Sequence, residues 1–242
     1  MRVAVISDVH ANYHALEAVL AEIDGARVDT VWCLGDTVGY GPRPNECCAI
    51  VAERADLCLV GNHDLVCIGA IDISAFNHDA AAAAEWTKST LADDARAFLE
   101  RLEPQAVTAE AGLFHASPTD PVWTYVLSDD AAHWAFQATD AQLILVGHSH
   151  VALQIELVDQ LLAGGLAQAG KDEPLDPGRR LLNPGSVGQP RDGDPRAAWL
   201  LLDFERRFGS FRRAAYPIER TQEEMRDAGL PELLVARLAL GE

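Results

Sequence analysis

Five short apolar runs in this chain each end in side chains that metal ions favour, and the fold must bring those endings together or leave them as coincidence. Arg2-Val3-Ala4-Val5-Ile6 leads to Asp8 and His10. Val31-Trp32-Cys33-Leu34 leads to Gly35-Asp36. Leu57-Cys58-Leu59-Val60 leads to Gly61-Asn62-His63-Asp64. Leu113-Phe114 leads to His115, and Leu143-Ile144-Leu145-Val146 leads to Gly147-His148-Ser149-His150. Runs of this length read as buried strands. Open α/β sheets put their chemistry beyond the carboxyl ends of such strands. A glycine there lets the backbone turn and approach other groups closely. Asp8 and His10 are expected in extended backbone, where residues i and i+2 point the same way.

The intervening segments fit an alternating α/β chain. Leu16, Val19, Leu20 and Ile23 fall at i, i+3, i+4 and i+7, the stripe of an amphipathic helix that Asn12 caps and Asp24-Gly25 ends. Residues 43–55 and 74–103 read as helical. Residues 151–158 read as a strand, and 160–180, with Gly164, Gly165, Gly170, Pro174 and Pro177, as a long loop or irregular hairpin. A turn-rich segment covers 183–191, closing strands cover 198–202 and about 208–215, and 218–240 reads as helix. With no repeat and no linker, residues 1–242 read as one domain.

Several motifs are decoys. Asn77-His78-Asp79 copies part of the Gly61–Asp64 motif, but it precedes an alanine-rich run, where Asn serves as an N-cap. Cys48 and Arg54 have the Cys-x5-Arg spacing of cysteine phosphatases. That chemistry needs a loop whose amides cradle phosphate, and the intervening Ala-Ile-Val-Ala-Glu is helical in character and lacks glycine. The loop Thr37–Pro42 has no Gly-Lys-Ser/Thr and is not a P-loop. His14 and His133 read as structural, and Trp123 and Tyr125 as a rim.

Charge excludes other classes. Lys plus Arg is 19 and Asp plus Glu is 37, so the net charge is 19 − 37 = −18, which opposes nucleic-acid binding. The five cysteines form no Cys-x-x-Cys and read as reduced thiols of a cytoplasmic protein. Residues 1–6 already read as a strand, which leaves no signal peptide, and no apolar run is long enough to span a membrane.

The strand ends present Asp8, His10, Asp36, Asn62, His63, His115, His148 and His150. Oxygen and imidazole donors without thiolate suit divalent Mn, Fe, Zn, Co or Ni, and imidazole favours Mn over Mg. So many donors, seven even if one of them is not a ligand, are too many for one ion and suit two if a carboxylate bridges them. Such ions also answer the charge problem, since cations at the strand ends attract an anion that a diffuse −18 would repel.

Asp-x-His, Gly-Asp-x-x-Gly, Gly-Asn-His-Asp, a lone His and Gly-His-x-His follow one another in the order of the calcineurin-like metallophosphoesterases, which this sequence resembles over roughly residues 1–190. Gly39-Tyr40-Gly41-Pro42 and Asn183-Pro184-Gly185-Ser186-Val187-Gly188 resemble the small bacterial phosphodiesterase branch rather than the large protein phosphatases. The resemblance implies a four-layer α/β/β/α sandwich of two mixed sheets flanked by helices. It implies that Asp8, His10 and His150 hold one ion, that Asn62, His115 and His148 hold a second, and that Asp36 bridges them. His63 would then sit beside the substrate off the metals, with Asp64 orienting its ring. The implied reaction is hydrolysis of a small phosphodiester or phosphomonoester by a bridging hydroxide. A phosphodiesterase is favoured over a dinucleoside-polyphosphate hydrolase or a protein phosphatase. A non-catalytic interaction scaffold of the same fold is the alternative of another class, and the complete ligand set together with His63 discriminates against it. Arg43 and Arg191 are two cations that a phosphate can meet, and the sequence places neither. Assembly with like chains stays open.

Overall fold

Continuous apolar runs, with successive side chains facing opposite ways, sort this chain into layers. The computed structural model describes residues 1–242. It opens with two βαβ units: β1 (Arg2–Ile6), α1 (Tyr13–Ala26), β2 (Thr30–Cys33), α2 (Pro44–Arg54) and β3 (Leu57–Cys58). Three helices follow, α3 (Asn62–Ile68), α4 (His78–Thr90) and α5 (Asp93–Leu99). Next come β4 (Gln105–Val107), β5 (Gly112–Phe114), α6 (Asp129–Gln137) and β6 (Leu143–Val146). Six strands then run in succession: β7 (Ala152–Val158), β8 (Leu161–Leu166), β9 (Asp172–Pro174), β10 (Arg179–Pro184), β11 (Ala197–Asp203) and β12 (Phe208–Ala214). Helices α7 (Ile218–Asp227) and α8 (Glu232–Leu240) close the chain.

The strands form two six-stranded sheets, ordered β3-β2-β1-β11-β12-β9 and β4-β5-β6-β10-β7-β8. Both are mixed. In the first, β1, β2 and β3 are parallel while β11 and β12 run antiparallel; in the second, β5, β6 and β10 are parallel. Val3 and Val5 of β1 and Leu143 and Leu145 of β6 point between the sheets, into a core shared with Leu182, Leu200 and Leu202. Their neighbours Ala4 and Ile6 face outward onto Leu16, Val19 and Ile23 of α1. Ile144 and Val146 face outward onto Ala132, Ala135 and Phe136 of α6. The order of layers is therefore helix, sheet, sheet, helix, the four-layer α/β/β/α sandwich expected, with the central strands β1, β6, β10 and β11 burying both faces.

Some boundaries differ from the sequence reading. The run 57–60 is strand only at Leu57–Cys58: Val60 N–H already turns away to the carbonyl of Glu103. Helix α1 runs through Gly25 and ends where Arg27 takes a left-handed conformation. Residues 160–180 supply two strands, β8 beside β7 and β9 beside β12, and Asn183 and Pro184 belong to β10. The C-terminal helix is two helices, separated around Gly229 and Pro231. The expected N-cap role of Asn77 is present, its side chain accepting from Ala80 N–H.

Candidate metal centre

The loops after β1, β2, β3, β5 and β6 open at one end of the two sheets. They and the first turn of α3 carry Asp8, His10, Asp36, Asn62, His63, Asp64, His115, His148 and His150, none more than 5% exposed. The backbone geometry differs from the extended one expected. Strand β1 stops at Ile6, and Asp8 and His10 take φ of 54° and 49°. Asp36, His148 and His150 are also left-handed, at 53°, 63° and 59°. Non-glycine residues avoid this region unless the surroundings impose it, and such strain concentrates at functional sites. Left-handed turns, not strand pleat, therefore aim these side chains inward.

Two glycines permit the approach. A Cβ at Gly61 would lie 2.1 Å from Asp36 Oδ1, and one at Gly147 would lie 2.1 Å from Ser7 Oγ. With no side chain there, Asp36 Oδ1 accepts His63 N–H at 2.8 Å and Asp8 Oδ2 accepts His148 N–H at 3.1 Å. Each carboxylate is thus pinned through one oxygen. The other oxygens, Asp36 Oδ2 and Asp8 Oδ1, are buried with no hydrogen-bond partner.

The imidazoles are oriented by backbone carbonyls. Nδ1 of His10, His115 and His150 lies 3.1, 2.8 and 2.7 Å from the carbonyls of Val38, Leu34 and Gln189. A carbonyl only accepts, so Nδ1 carries the proton and Nε2 turns a lone pair inward. His148 is reversed: Nε2 donates to the Trp123 carbonyl at 3.1 Å, which leaves Nδ1 for the interior. His10 and His150 bring their Nε2 atoms to 2.9 Å. Two lone pairs that close repel unless a cation lies between the donors. Asp8 Oδ1 is 3.4 Å from His150 Nε2, Asp36 Oδ2 is 3.5 Å from His115 Nε2, and Asn62 Oδ1 is 3.2 Å from His115 Nε2.

Two groups of ligand atoms result, each within 4.8 Å of one another: Asp8, His10, Asp36 and His150, and Asp36, His115 and His148. Asp36 is common to both. Burial holds His10, His115 and His150 below the usual imidazole range, and brings His148 down to about 3. Burial also raises the Asp36 carboxyl, helped by Asp64 and Asp8, whereas at Asp8 burial pushes up but the combined pull of His150, His115 and His10 leaves the carboxyl below its ordinary range. Neutral imidazoles and partnerless carboxylate oxygens around one space fit divalent cations, whose charge reverses the cost of burying those carboxylates.

His63 stands outside both groups. Its ring lies 4.3 Å from that of Tyr40, 4.4 Å from Phe76 and 4.9 Å from His10, and its Nδ1 is buried without a partner. The expectation that Asp64 orients this ring is not met. Successive residues in a helical turn diverge, and Asp64 Oδ1 and Oδ2 instead accept Val38 N–H at 2.9 Å and Gly61 N–H at 3.0 Å. Asp64 therefore clamps two loops, and its carboxyl is raised to about 6 by burial against those bonds. Tyr40, which the sequence reading did not single out, holds the His63 ring. Its position between Gly39 and Gly41 was the available signal, and its own φ is 59°.

The two open arginines separate. Arg43 donates to Glu224 at 2.6 and 2.7 Å and lies over the Tyr13 ring, so it is already paired. Arg191 donates through its backbone N–H to the carbonyl of His150. Tyr125 stacks on His148 at 4.1 Å, and Trp123 sits 6.1 Å from Phe76, which makes the expected aromatic rim. His14 is a structural histidine bonded to Glu224 at 3.0 Å.

The same arrangement of chain recurs in known proteins. Residues 1–207 match the Calcineurin-like phosphoesterase superfamily domain. An uncharacterized protein of Methanocaldococcus jannaschii is 37% identical over 99% of this chain and 98% of its own. The crystal structure of a metallophosphoesterase from Sphaerobacter thermophilus is 43% identical, with a TM-score of 0.91 over 100% of this chain and 99% of that one. A symmetrical bis(5'-nucleosyl)-tetraphosphatase of Vibrio cholerae is 30% identical over 135 residues, 53% of this chain and 48% of that one. The fold, the inward-facing Asp and His donors and these likenesses agree: the chain belongs to the calcineurin-like phosphoesterase superfamily, whose members are metal-dependent phosphoester hydrolases.

Proposed function

We propose that this protein, acting as one domain in the cytoplasm, hydrolyses a phosphodiester of a small molecule at a dinuclear centre. The observation that carries the reading is the pair of buried, partnerless oxygens, Asp8 Oδ1 and Asp36 Oδ2, facing the inward nitrogens of His10, His115 and His150. Asp8, His10 and His150 would hold one ion, Asn62, His115 and His148 the second, and Asp36 both. Mn is favoured, as imidazole ligation favours it over Mg. When bound, two such ions activate water and neutralise charge developing on phosphoryl oxygens.

The chain's own residues do the rest. The carbonyls of Val38, Leu34 and Gln189 keep three imidazoles in the metal-binding tautomer. Tyr40 and Phe76 fix the His63 ring beside His10, where it reaches the departing oxygen of an ester rather than an ion. Burial keeps His63 neutral, so the negative charge of a bound substrate is what draws a proton onto it for delivery to that oxygen. Asp64 serves this role at one remove, by joining the loops of Val38 and Gly61. The Vibrio relative supports a second reading, hydrolysis of a dinucleoside polyphosphate.

The test is hydrolysis by protein loaded with Mn, Zn, Ni or Mg, on phosphodiesters, dinucleoside polyphosphates and phosphomonoesters, with metal content measured on each sample. Two ions per chain and highest activity on a diester with Mn are expected. Metal-free protein with full activity would overturn the reading, and a preference for the polyphosphates would select the second one.

A further inference from the structure

One cation at this centre has no acid beside it. The chain carries 37 Asp and Glu against 19 Lys and Arg, and most of its arginines with buried or half-buried heads are paired. Arg43 holds Glu224, Arg180 holds Glu156 and Arg213 holds Asp192. Arg191 has no carboxylate within ion-pairing distance. One amino group donates to Gln189 Oε1 at 2.9 Å and to the Tyr40 hydroxyl at 3.4 Å, while its Nε is buried and has no partner.

Its placement is set by the site. Arg191 N–H donates to the carbonyl of His150 at 3.0 Å, and the guanidinium lies 5.8 Å from the ring centre of Tyr40. That ring rests on both His10 and His63. The head group thus stands over the side of the centre formed by Asp8, His10 and His150. After burial, its charge is among the causes holding His150, His10 and His63 low.

A half-buried guanidinium beside neutral imidazoles is costly unless something anionic meets it. Bound divalent ions would add to that cost, because they are cations as well. The remaining compensation is an anion arriving from solution, and the planar fork of a guanidinium matches the spacing of phosphate oxygens. We propose that Arg191 is the substrate-binding cation of this centre, holding a non-reacting oxygen of the phosphoryl group from the side of His10 and His150, and that Arg43 has no such role. The proposal rests on the phosphoesterase reading above and says which residue grips the anion.

The probe is inorganic phosphate, as an inhibitor of the metal-loaded protein assayed on bis-(p-nitrophenyl) phosphate. Arg191→Gln is expected to raise the phosphate inhibition constant by about 10–100-fold, the range of a lost charge-assisted bond. KM should rise in parallel, with metal content and Tm unchanged. Arg191→Lys should recover part of the loss, and Arg43→Gln should leave the constant unchanged. An unaltered constant in Arg191→Gln that keeps its metals overturns the assignment. Wild type that is inert to every ester and indifferent to phosphate overturns both this and the reading beneath it. Should Arg191→Gln lose its metals or its fold, zinc-loaded wild type with ¹⁵N-arginine decides. The Nε–H signal of Arg191, identified by its absence in Arg191→Lys, is expected to move on phosphate addition, and an unmoved signal refutes the proposal.

Discussion

Asp36 Oδ1 accepts the backbone N–H of His63 at 2.8 Å, while Asp36 Oδ2 faces His10 and His115 at 3.7 and 3.5 Å. One carboxylate therefore ties the loop of a candidate proton donor to both halves of the candidate metal centre. Gly61 leaves room for this, and its substitution is a sharp probe. Gly61→Ala places a Cβ against the Asp36 carboxylate and should lower metal affinity by about 10–100-fold, the usual effect of disturbing a ligand's support. Calorimetric metal titration of a folded variant checks this, and unchanged affinity would argue against Asp36 as a ligand.

His63→Ala should keep both ions, because His63 lies outside both groups of ligand atoms. Its kcat on an alkyl or nucleoside ester should drop by about 10²–10⁴-fold, the range for a lost general acid. The loss should be much smaller on a nitrophenyl ester, whose leaving group departs readily as an anion. Equal losses on both substrates would make His63 a phosphate-binding group. Asp64→Asn should show the milder form of this pattern together with a lower Tm, since Asp64 joins two loops rather than touching the ring.

Removing the ions should destabilise the protein. An ion present at about 100 times its Kd stabilises the native state by about 2.7 kcal/mol, provided it does not bind the unfolded chain. For a chain of this size that corresponds to a fall in Tm of roughly 5–10 °C on chelation. Calorimetry with and without chelator, followed by restoration with Mn, measures it.

Glu224 joins α7 to α1 and to the residue that precedes α2 by accepting from His14 and Arg43. Burial pushes its carboxyl up, but those two partners pull it further down, so the net shift lies below its ordinary 4.5. A lowered folded-state value means that the contribution is present above pH 4.5 and is lost as pH falls through the folded value. Glu224→Gln should therefore cost about 1–2 kcal/mol at pH 7, discounted for partial exposure, and the two unfolding curves should converge in acid. A constant gap across that range would contradict the ion-pair account.

The cysteines should be silent. Cys47, Cys48 and Cys67 are buried, and burial raises each thiol above its ordinary range. Native protein at pH 8 should yield at most one thiol to Ellman's reagent, Cys58, and all five after unfolding. Rapid modification of Cys48 would reopen the cysteine-phosphatase spacing with Arg54.

The strands and the donors at their ends are legible because continuous apolar runs and terminal glycines are local signals, as in Leu143–His150. The conformations of Asp8 and His10 were not, since left-handed backbone is imposed by bonds such as His10 N–H to the carbonyl of Asp36. The task of Asp64 was misread because the motif records adjacency, whereas the helix turns its carboxylate from His63 toward Val38. Arg43 and Arg191 are equivalent in sequence, because the partner that occupies Arg43, Glu224, lies some 180 residues away. Strands β8 and β9 hid behind their glycines and prolines, which the pairing with β7 and β12 overrides.

Neither sheet owns a complete donor group. Asp8, His10 and Asp36 follow strands of the first sheet and meet His150 from the second, while His115 and His148 of the second reach across to Asp36. An ion held by either group is therefore a clasp between the two halves of the sandwich, and it can close only after Leu145 and Leu200 have met in the layer between them. Metal capture then marks the completion of folding: nascent chains and half-docked intermediates would lack the grip to sequester scarce ions. The acquisition of tight metal binding during refolding would date the docking of one sheet onto the other.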